Sequence, residues 1–258
     1  MEIVLGILIP FIGTTLGTSM VFFMKKTINL QLQKFLLGFA SGVMIAASIW
    51  SLILPAIEQS EHLGKLSFLP SAIGLILGFV FLIFIDILSK KITNKNYVKE
   101  TNFQSSKKTK MLFFAITLHN IPEGMAVGVA LACAYFGSST MTITAAIMLA
   151  IGIGIQNFPE GAIISMPLKS EGMGKFKAFG YGTISGVVEP IFASLTFYIT
   201  GFIIPILPYV LTFAAGAMMY VVIKELIPEA QENEKYYLST FGFILGFIVM
   251  MMLDVMLG

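Results

Sequence analysis

Charge is scarce in this sequence: charged side chains make up 12% of its 258 residues, and arginine does not occur at all. Soluble domains carry about 25% charged residues, so a water-soluble globular fold is excluded. Cysteine is nearly absent. The single Cys133 lies in an apolar stretch, which excludes an internal disulfide and any thiolate cluster for Cu(I) or iron–sulfur chemistry. Histidine appears only as His62 and His119. The H-E-x-x-H spacing of a zinc protease helix therefore cannot be built, and the chain is expected not to be an enzyme. A formal net charge of +2 points to no nucleic-acid partner. No basic leader precedes the first apolar run, so that run reads as a retained helix and not as a cleavable signal.

What is abundant is apolar sequence. Hydrophobic residues make up 57% of the chain and the mean hydropathy is +0.89. Apolar stretches fall at about 3–24, 35–57, 66–88, 111–135, 141–168, 176–200, 203–226 and 237–257. Each is long enough to cross a hydrocarbon core about 30 Å thick. The expected fold is an all-α integral membrane protein, a bundle of eight transmembrane helices forming one domain over 1–258, with lipid as its surroundings. Fourteen of the sixteen lysines fall in the odd-numbered connections and Lys65 alone in an even one. Positive short loops stay cytoplasmic. This predicts a multi-pass protein, at the plasma membrane, with both termini extracytoplasmic. The polar connection at about 90–110 holds seven of the lysines; it cannot bury itself and is expected to be a mobile cytoplasmic loop.

Glycines four apart recur as Gly13/Gly17, Gly38/Gly42, Gly74/Gly78, Gly124/Gly128, Gly182/Gly186 and Gly242/Gly246, a spacing that permits close backbone approach between helices. An internal repeat is also present. His119-Asn120-Ile121-Pro122-Glu123-Gly124 recurs 37 residues later as Gln156-Asn157-Phe158-Pro159-Glu160-Gly161. One span plus one turn accounts for the shift, so predicted helices 4 and 5 carry the same cassette and run antiparallel.

Within each cassette the first polar residue and the glutamate are four apart and share a helical face, with the asparagine flanking it. An ionisable side chain at mid-membrane costs roughly 2.5–3.5 kcal/mol on insertion scales and normally lines a pathway or meets a partner. No lysine lies at matching depth in any predicted span, so the counter-charge for Glu123 and Glu160 is a cation or a proton. Pro122 and Pro159 each remove a backbone donor and predict a bend beside the polar column. Glu189, followed by Pro190 in helix 6, extends the set. Met44 and Ser51, seven apart in helix 2, offer a thioether and a hydroxyl, or simply pack. Glu225, at the inner end of helix 7, and Asp254, near the outer end of helix 8, read as pathway or interfacial charges. Met111, Met250, Met251 and Met252 read as lipid-facing or packing residues.

The paired cassettes resemble the ZIP (Zrt-, Irt-like Protein) family of metal transporters, and the likeness extends to Gly186-Val187-Val188-Glu189-Pro190 and to the stretch from Tyr220 through Lys224-Glu225 to Pro228-Glu229. The resemblance implies helices 4 and 5 at the centre, flanked by helices 1–3 and 6–8 in a pseudo-twofold inverted repeat. It implies transport of divalent metals by alternating access through a binuclear site. One ion would meet His119, Glu123, Gln156, Glu160 and Met44, and the second Asn120, Asn157 and Glu189 with the shared glutamates. Ser51 and Asp254 would serve the entrance and Glu225 the exit. No cofactor is implied: the metal is cargo. Many family members have histidine where this chain has Gln156 and an acid where it has Asn157. The resulting N/O donor set suits Zn²⁺, Fe²⁺, Mn²⁺, Co²⁺ or Cd²⁺. A homodimer is the protein assembly left open.

A proton-driven carrier of a small organic solute is the competing reading, because paired intramembrane glutamates also relay protons. The lysine asymmetry is testable by one-sided labelling. In a Cys133→Ser background, Ser105→Cys is expected to react only from the cytoplasmic face and Ser138→Cys only from outside. The reverse pattern would invert the topology.

Overall fold

The computed structural model describes residues 1–23, 29–96, 104–136, 141–170, 172–201, 206–232 and 237–257, with side chains described except at 89–96, 104–116, 118, 119, 167, 201 and 257. Among the described residues, all regular secondary structure is helical. The order is α1 (Glu2–Ser19), α2 (Leu30–Ala47), α3 (Leu54–Gln59), α4 (Phe68–Asn96), α5 (Gln104–Tyr135), α6 (Ile143–Ser170), α7 (Lys175–Gly186), α8 (Val188–Gly201), α9 (Leu207–Val221), α10 (Ile227–Gln231) and α11 (Leu238–Leu257). Seven stretches are long and apolar enough to cross a membrane: Glu2–Phe22, Leu30–Gln59, Phe68–Leu88, Ile143–Ser170, Lys175–Thr200, Leu207–Gln231 and Leu238–Met256. To these the 32-residue α5 adds a long helix.

Proline explains where the expected spans are interrupted. A proline lacks an N–H and its ring crowds the carbonyl four residues earlier. The helix widens into a π segment, Ser48–Ile53, just before Pro55, so that α2 and α3 form one interrupted span. The same device recurs at Val222–Leu226 before Pro228, joining α9 to α10. A third break, at Val187, separates α7 from α8 just ahead of Glu189-Pro190. By contrast, α5 and α6 stay helical through Pro122 and Pro159.

The lysine-rich connection differs from its expected loop. Helix α4 runs on to Asn96 and α5 begins at Gln104, so both ends of 90–110 are helical. That segment contains neither glycine nor proline, and nothing in it stops a helix that packing has already nucleated. Its centre, 97–103, lies outside the described residues, as does Ser138.

The most extensive helix interfaces pair α2 with α11, α1 with α6, α4 with α9 and α5 with α8. Glycines make these approaches close. A Cβ at Gly13 or Gly17 would stand 2.1 or 1.8 Å from the carbonyl oxygens of Gly154 and Phe158 on α6. Gly38 and Gly42 seat equally tightly on Ser239 and Phe243 of α11, Gly78 on Phe213 of α9, and Gly124 and Gly128 on Glu189 and Ala193 of α8. The bundle thus divides into two halves, α1 with α5–α8 and α2–α4 with α9–α11. Between the halves α2 meets α6, and α5 meets α9.

Lysines close helix ends at two places. The buried Lys34 donates from Nζ to the Glu229 carbonyl near the end of α10, and Lys175 donates to the Phe22 carbonyl beyond α1 at 2.8 Å. Both cations meet carbonyls that a helix terminus leaves unpaired. The outer surface is aliphatic and aromatic, with Ile76, Phe84, Tyr198 and Val255 among its exposed side chains, whereas Asn120, Glu123, Gln156 and Glu189 are buried. The methionines divide between the two expected surroundings: Met252 is exposed, and Met250 is fully buried. Its thioether fills the space above Gly152 on α6, because a glycine there leaves a dimple that a flexible side chain occupies.

The glycine contacts predict a stability contrast. Gly17→Ala is expected to push α1 off α6, costing about 1–3 kcal/mol as an overpacked core does. Gly180→Ala, in α7 with nothing within 4 Å of the added carbon, is expected to be neutral or slightly stabilising. Thermal unfolding of the detergent-solubilised variants checks both.

Candidate metal-translocation site

Both cassettes lie near the middle of long helices, Asn120 and Glu123 on α5, Gln156, Asn157 and Glu160 on α6. The antiparallel repeat brings them face to face. Gln156 donates from Nε2 to Glu123 Oε1 at 2.7 Å, linking the first residue of one cassette to the glutamate of the other. Asn120 donates from Nδ2 to the Ser185 carbonyl at 3.0 Å, which ties α5 to the end of α7 four residues before Glu189. The break at Val187 starts a new helix with Glu189 in its first turn, and the close approach of Gly124 to the Glu189 backbone holds that turn against the α5 cassette.

Three carboxylates therefore share one buried region. Glu160 lies within electrostatic reach of Glu123, Glu189 and Glu225, and Glu189 within reach of Glu123. Asn157 sits beside Glu189 without completing a hydrogen bond by distance and angle. Buried polar atoms are almost always satisfied, yet among the described residues Gln156 Oε1, both amide atoms of Asn157 and Glu189 Oε2 have no hydrogen-bond partner. Three of these four atoms are oxygens. Oxygen acceptors left unsatisfied beside carboxylates form a donor set for a hard or borderline cation. Among the described residues, no three His, Cys, Asp or Glu side chains group closely enough to hold one ion by themselves. The His119 side chain lies outside the described residues.

The other sequence candidates divide into two groups. Ser51 donates from Oγ to Asp254 Oδ1 at 2.8 Å, joining the π segment after α2 to α11, and Glu225, within the second π segment, is half-buried. Met44 is fully buried on α2, where its carbonyl accepts from Ser48. Two contributors escaped the sequence reading. Thr14 on α1 donates to Glu189 Oε1 at 2.7 Å, and the Ser185 carbonyl receives Asn120. A signal for the first was present: Thr14 and Thr18 lie four apart beside Gly13 and Gly17 in a largely apolar run. A backbone carbonyl leaves no such trace.

Residues 108–254 match the family model described as ZIP Zinc transporter. The chain is 36% identical to Zinc transporter ZIP11 of Xenopus tropicalis, in an alignment covering all of this chain and 98% of that protein. The chain belongs to the ZIP family. It is also 33% identical to Zinc transporter ZIP11 of Homo sapiens over 86% of this chain and 87% of the relative. With Zinc transporter ZIPB of Bordetella bronchiseptica the identity is 32% over 99% of this chain and 81% of the relative. The matched segment takes in both cassettes, Glu189, Glu225 and Asp254 of this ZIP chain, while α1 and α2, which supply Thr14 and Met44, precede it.

Gln156 gives this ZIP site its distinctive chemistry, since one amide both donates to Glu123 and exposes an unpartnered oxygen. An imidazole can also donate from one nitrogen and ligate from the other, and it is the stronger ligand for Zn²⁺. Gln156→His is expected to lower the apparent KM for Zn²⁺ by roughly fivefold, a gain of about 1 kcal/mol. The maximal rate should fall or stay unchanged, because release starts from a deeper well. Uptake of Zn²⁺ and Mn²⁺ at several concentrations checks this, with Mn²⁺ transport reduced relative to Zn²⁺. Unmoved affinity and unmoved preference would show that residue 156 does not face the ion.

Proposed function

We propose that this protein carries Zn²⁺ and related divalent ions, among them Fe²⁺, Mn²⁺, Cd²⁺ and Co²⁺, across the plasma membrane by alternating access. The observation that carries this reading is the buried meeting of Glu123, Glu160 and Glu189 with amide oxygens. Placing several carboxylates together in an apolar interior is costly unless a positive charge joins them. The relatives named above are zinc transporters by name, which supports the same cargo here. A binuclear site is what the resemblance to the ZIP family implies, and the number of donors supports it. His119, Glu123, Gln156 and Glu160, with Met44, would hold one ion. Asn120, Asn157 and Glu189 would hold a second, with the two cassette glutamates shared between them.

In this reading α5 also spans the membrane, making eight spans in all, and both termini face outward, as the lysine distribution implies. An inverted repeat is supported by the interfaces. Exchanging the first span with the sixth, the second with the seventh, the third with the eighth and the fourth with the fifth turns the α1–α6 contact into the α8–α5 contact. The same exchange turns α2–α11 into α9–α4. The prolines agree, since the second and seventh spans each carry a π segment before a proline. Apart from Met44 on α2, the ion site belongs to the half formed by α1 and α5–α8. Ser51, Asp254 and Glu225 belong to the other, so relative movement of the halves would present the site first to one pair of flanking groups and then to the other. A homodimer is compatible with this arrangement.

Metal uptake into proteoliposomes tests the proposal. Wild-type protein is expected to accumulate Zn²⁺. Glu123→Ala, which removes a shared ligand, should reduce uptake to background while the protein still inserts. Glu189→Ala should be milder, because it touches one ion only. Near-wild-type uptake by Glu123→Ala would overturn the binuclear site, and equal losses at Glu123, Glu160 and Glu189 would favour one fused site.

A further inference from the structure

Thr14 has no place in the paired cassettes, yet it is the described side chain with a short hydrogen bond to the Glu189 carboxylate. It is buried on α1. Its hydroxyl lies 2.7 Å from Glu189 Oε1 and 3.3 Å from the Pro10 carbonyl. A hydroxyl has one hydrogen to donate, and the shorter, charge-assisted contact is the stronger claim on it. The rotamer is set from the other side. The Thr14 methyl packs at Gly186 on α7, where an added Cβ would come within 2.9 Å of Cγ2. With the methyl held in that notch, the hydroxyl is aimed at Glu189. The second carboxylate oxygen, Oε2, is buried and completes no hydrogen bond among the described residues, with the Asn157 amide beside the carboxylate.

We propose that Thr14 is a positioning residue that sets which ions Glu189 accepts, by occupying Oε1 and leaving Oε2 alone to face the cargo. The proposal rests on the reading of Glu189 as a cargo ligand. A carboxylate restrained in this way offers one oxygen. That suits Zn²⁺, which is satisfied by four ligands, better than Mn²⁺, which favours an octahedral oxygen shell. Released from Thr14, the same carboxylate can offer both oxygens, as acidic side chains do to ions of high coordination number. Selectivity for the smaller shell would then reside partly on α1, outside the cassettes.

The test uses two substitutions that separate the hydroxyl from the methyl. Thr14→Val keeps the methyl in its notch and removes the hydroxyl; Thr14→Ser keeps the hydroxyl and removes the methyl. Purified variants are reconstituted, and initial uptake of Zn²⁺ and Mn²⁺ is measured over a range of concentrations. Thr14→Val is expected to raise the Mn²⁺/Zn²⁺ uptake ratio about threefold to tenfold, the scale of one hydrogen bond, mainly through a lower apparent KM for Mn²⁺. Thr14→Ser should stay within about twofold of wild type, since its donor is retained. A wild-type ratio in Thr14→Val, or an equal shift in both variants, would overturn the proposal, the latter by assigning the effect to packing. Glu189→Gln in the same assay separates the two layers. If it leaves both metals' uptake unchanged, the ligand reading of Glu189 fails and the proposal with it. If it lowers uptake while Thr14→Val changes nothing, Glu189 remains a ligand and the role of Thr14 alone is lost.

Discussion

A carboxylate inside an apolar bundle needs a partner, and this protein places Glu123, Glu160 and Glu189 there, while the buried lysine among the described residues, Lys34, is taken up by the Glu229 carbonyl. Much of the interior is organised around that requirement. Amides from Gln156 and Asn157 stand beside the acids, a hydroxyl from Thr14 reaches one of them, and the helix break at Val187 turns Glu189 toward the α5 cassette. Neutral donors moderate the repulsion without cancelling the charge. A fixed cation would have cancelled it, and would also have filled the place that a mobile ion needs. The choice of amides over lysine or arginine is therefore consistent with a site built to be loaded and emptied, whereas a buried ion pair would be a permanent structural feature.

Much of this was legible in the sequence because its strongest signals are local and periodic. Long apolar runs mark the helices, and the i, i+4 spacing within each cassette puts His119 with Glu123 and Gln156 with Glu160 on shared faces. The 37-residue repeat implies their antiparallel meeting, which the Gln156–Glu123 hydrogen bond realises. Glycine pairs four apart marked surfaces of close approach, and Gly13/Gly17 and Gly124/Gly128 occupy such surfaces. What escaped depends on contacts distant in sequence. Nothing near Thr14 announces Glu189, 175 positions away, and nothing near Met250 announces Gly152. The π segments needed a different kind of information. A proline signals that a helix will be disturbed, but whether it bends, widens or continues is decided by what packs around the carbonyl it displaces; Pro55 and Pro228 took the second course, and Pro122 and Pro159 remain within helices.

The glycine contacts have a mechanical side. Backbone-to-backbone seats such as Gly13 on Gly154, Gly42 on Phe243, Gly78 on Phe213 and Gly128 on Ala193 all lie inside one half of the bundle or the other. Where a glycine faces across the divide, at Gly152, its neighbour is the pliable side chain of Met250. Interlocked main chain resists shear, because a step of even an ångström forces carbonyls into Cα atoms, while an unbranched thioether can change rotamer and let the surface pass. The molecule thus has a built-in cleavage plane, like a crystal that is strong within its sheets and weak between them. Damage within a sheet would be felt as lost stability, and damage along the plane as altered friction.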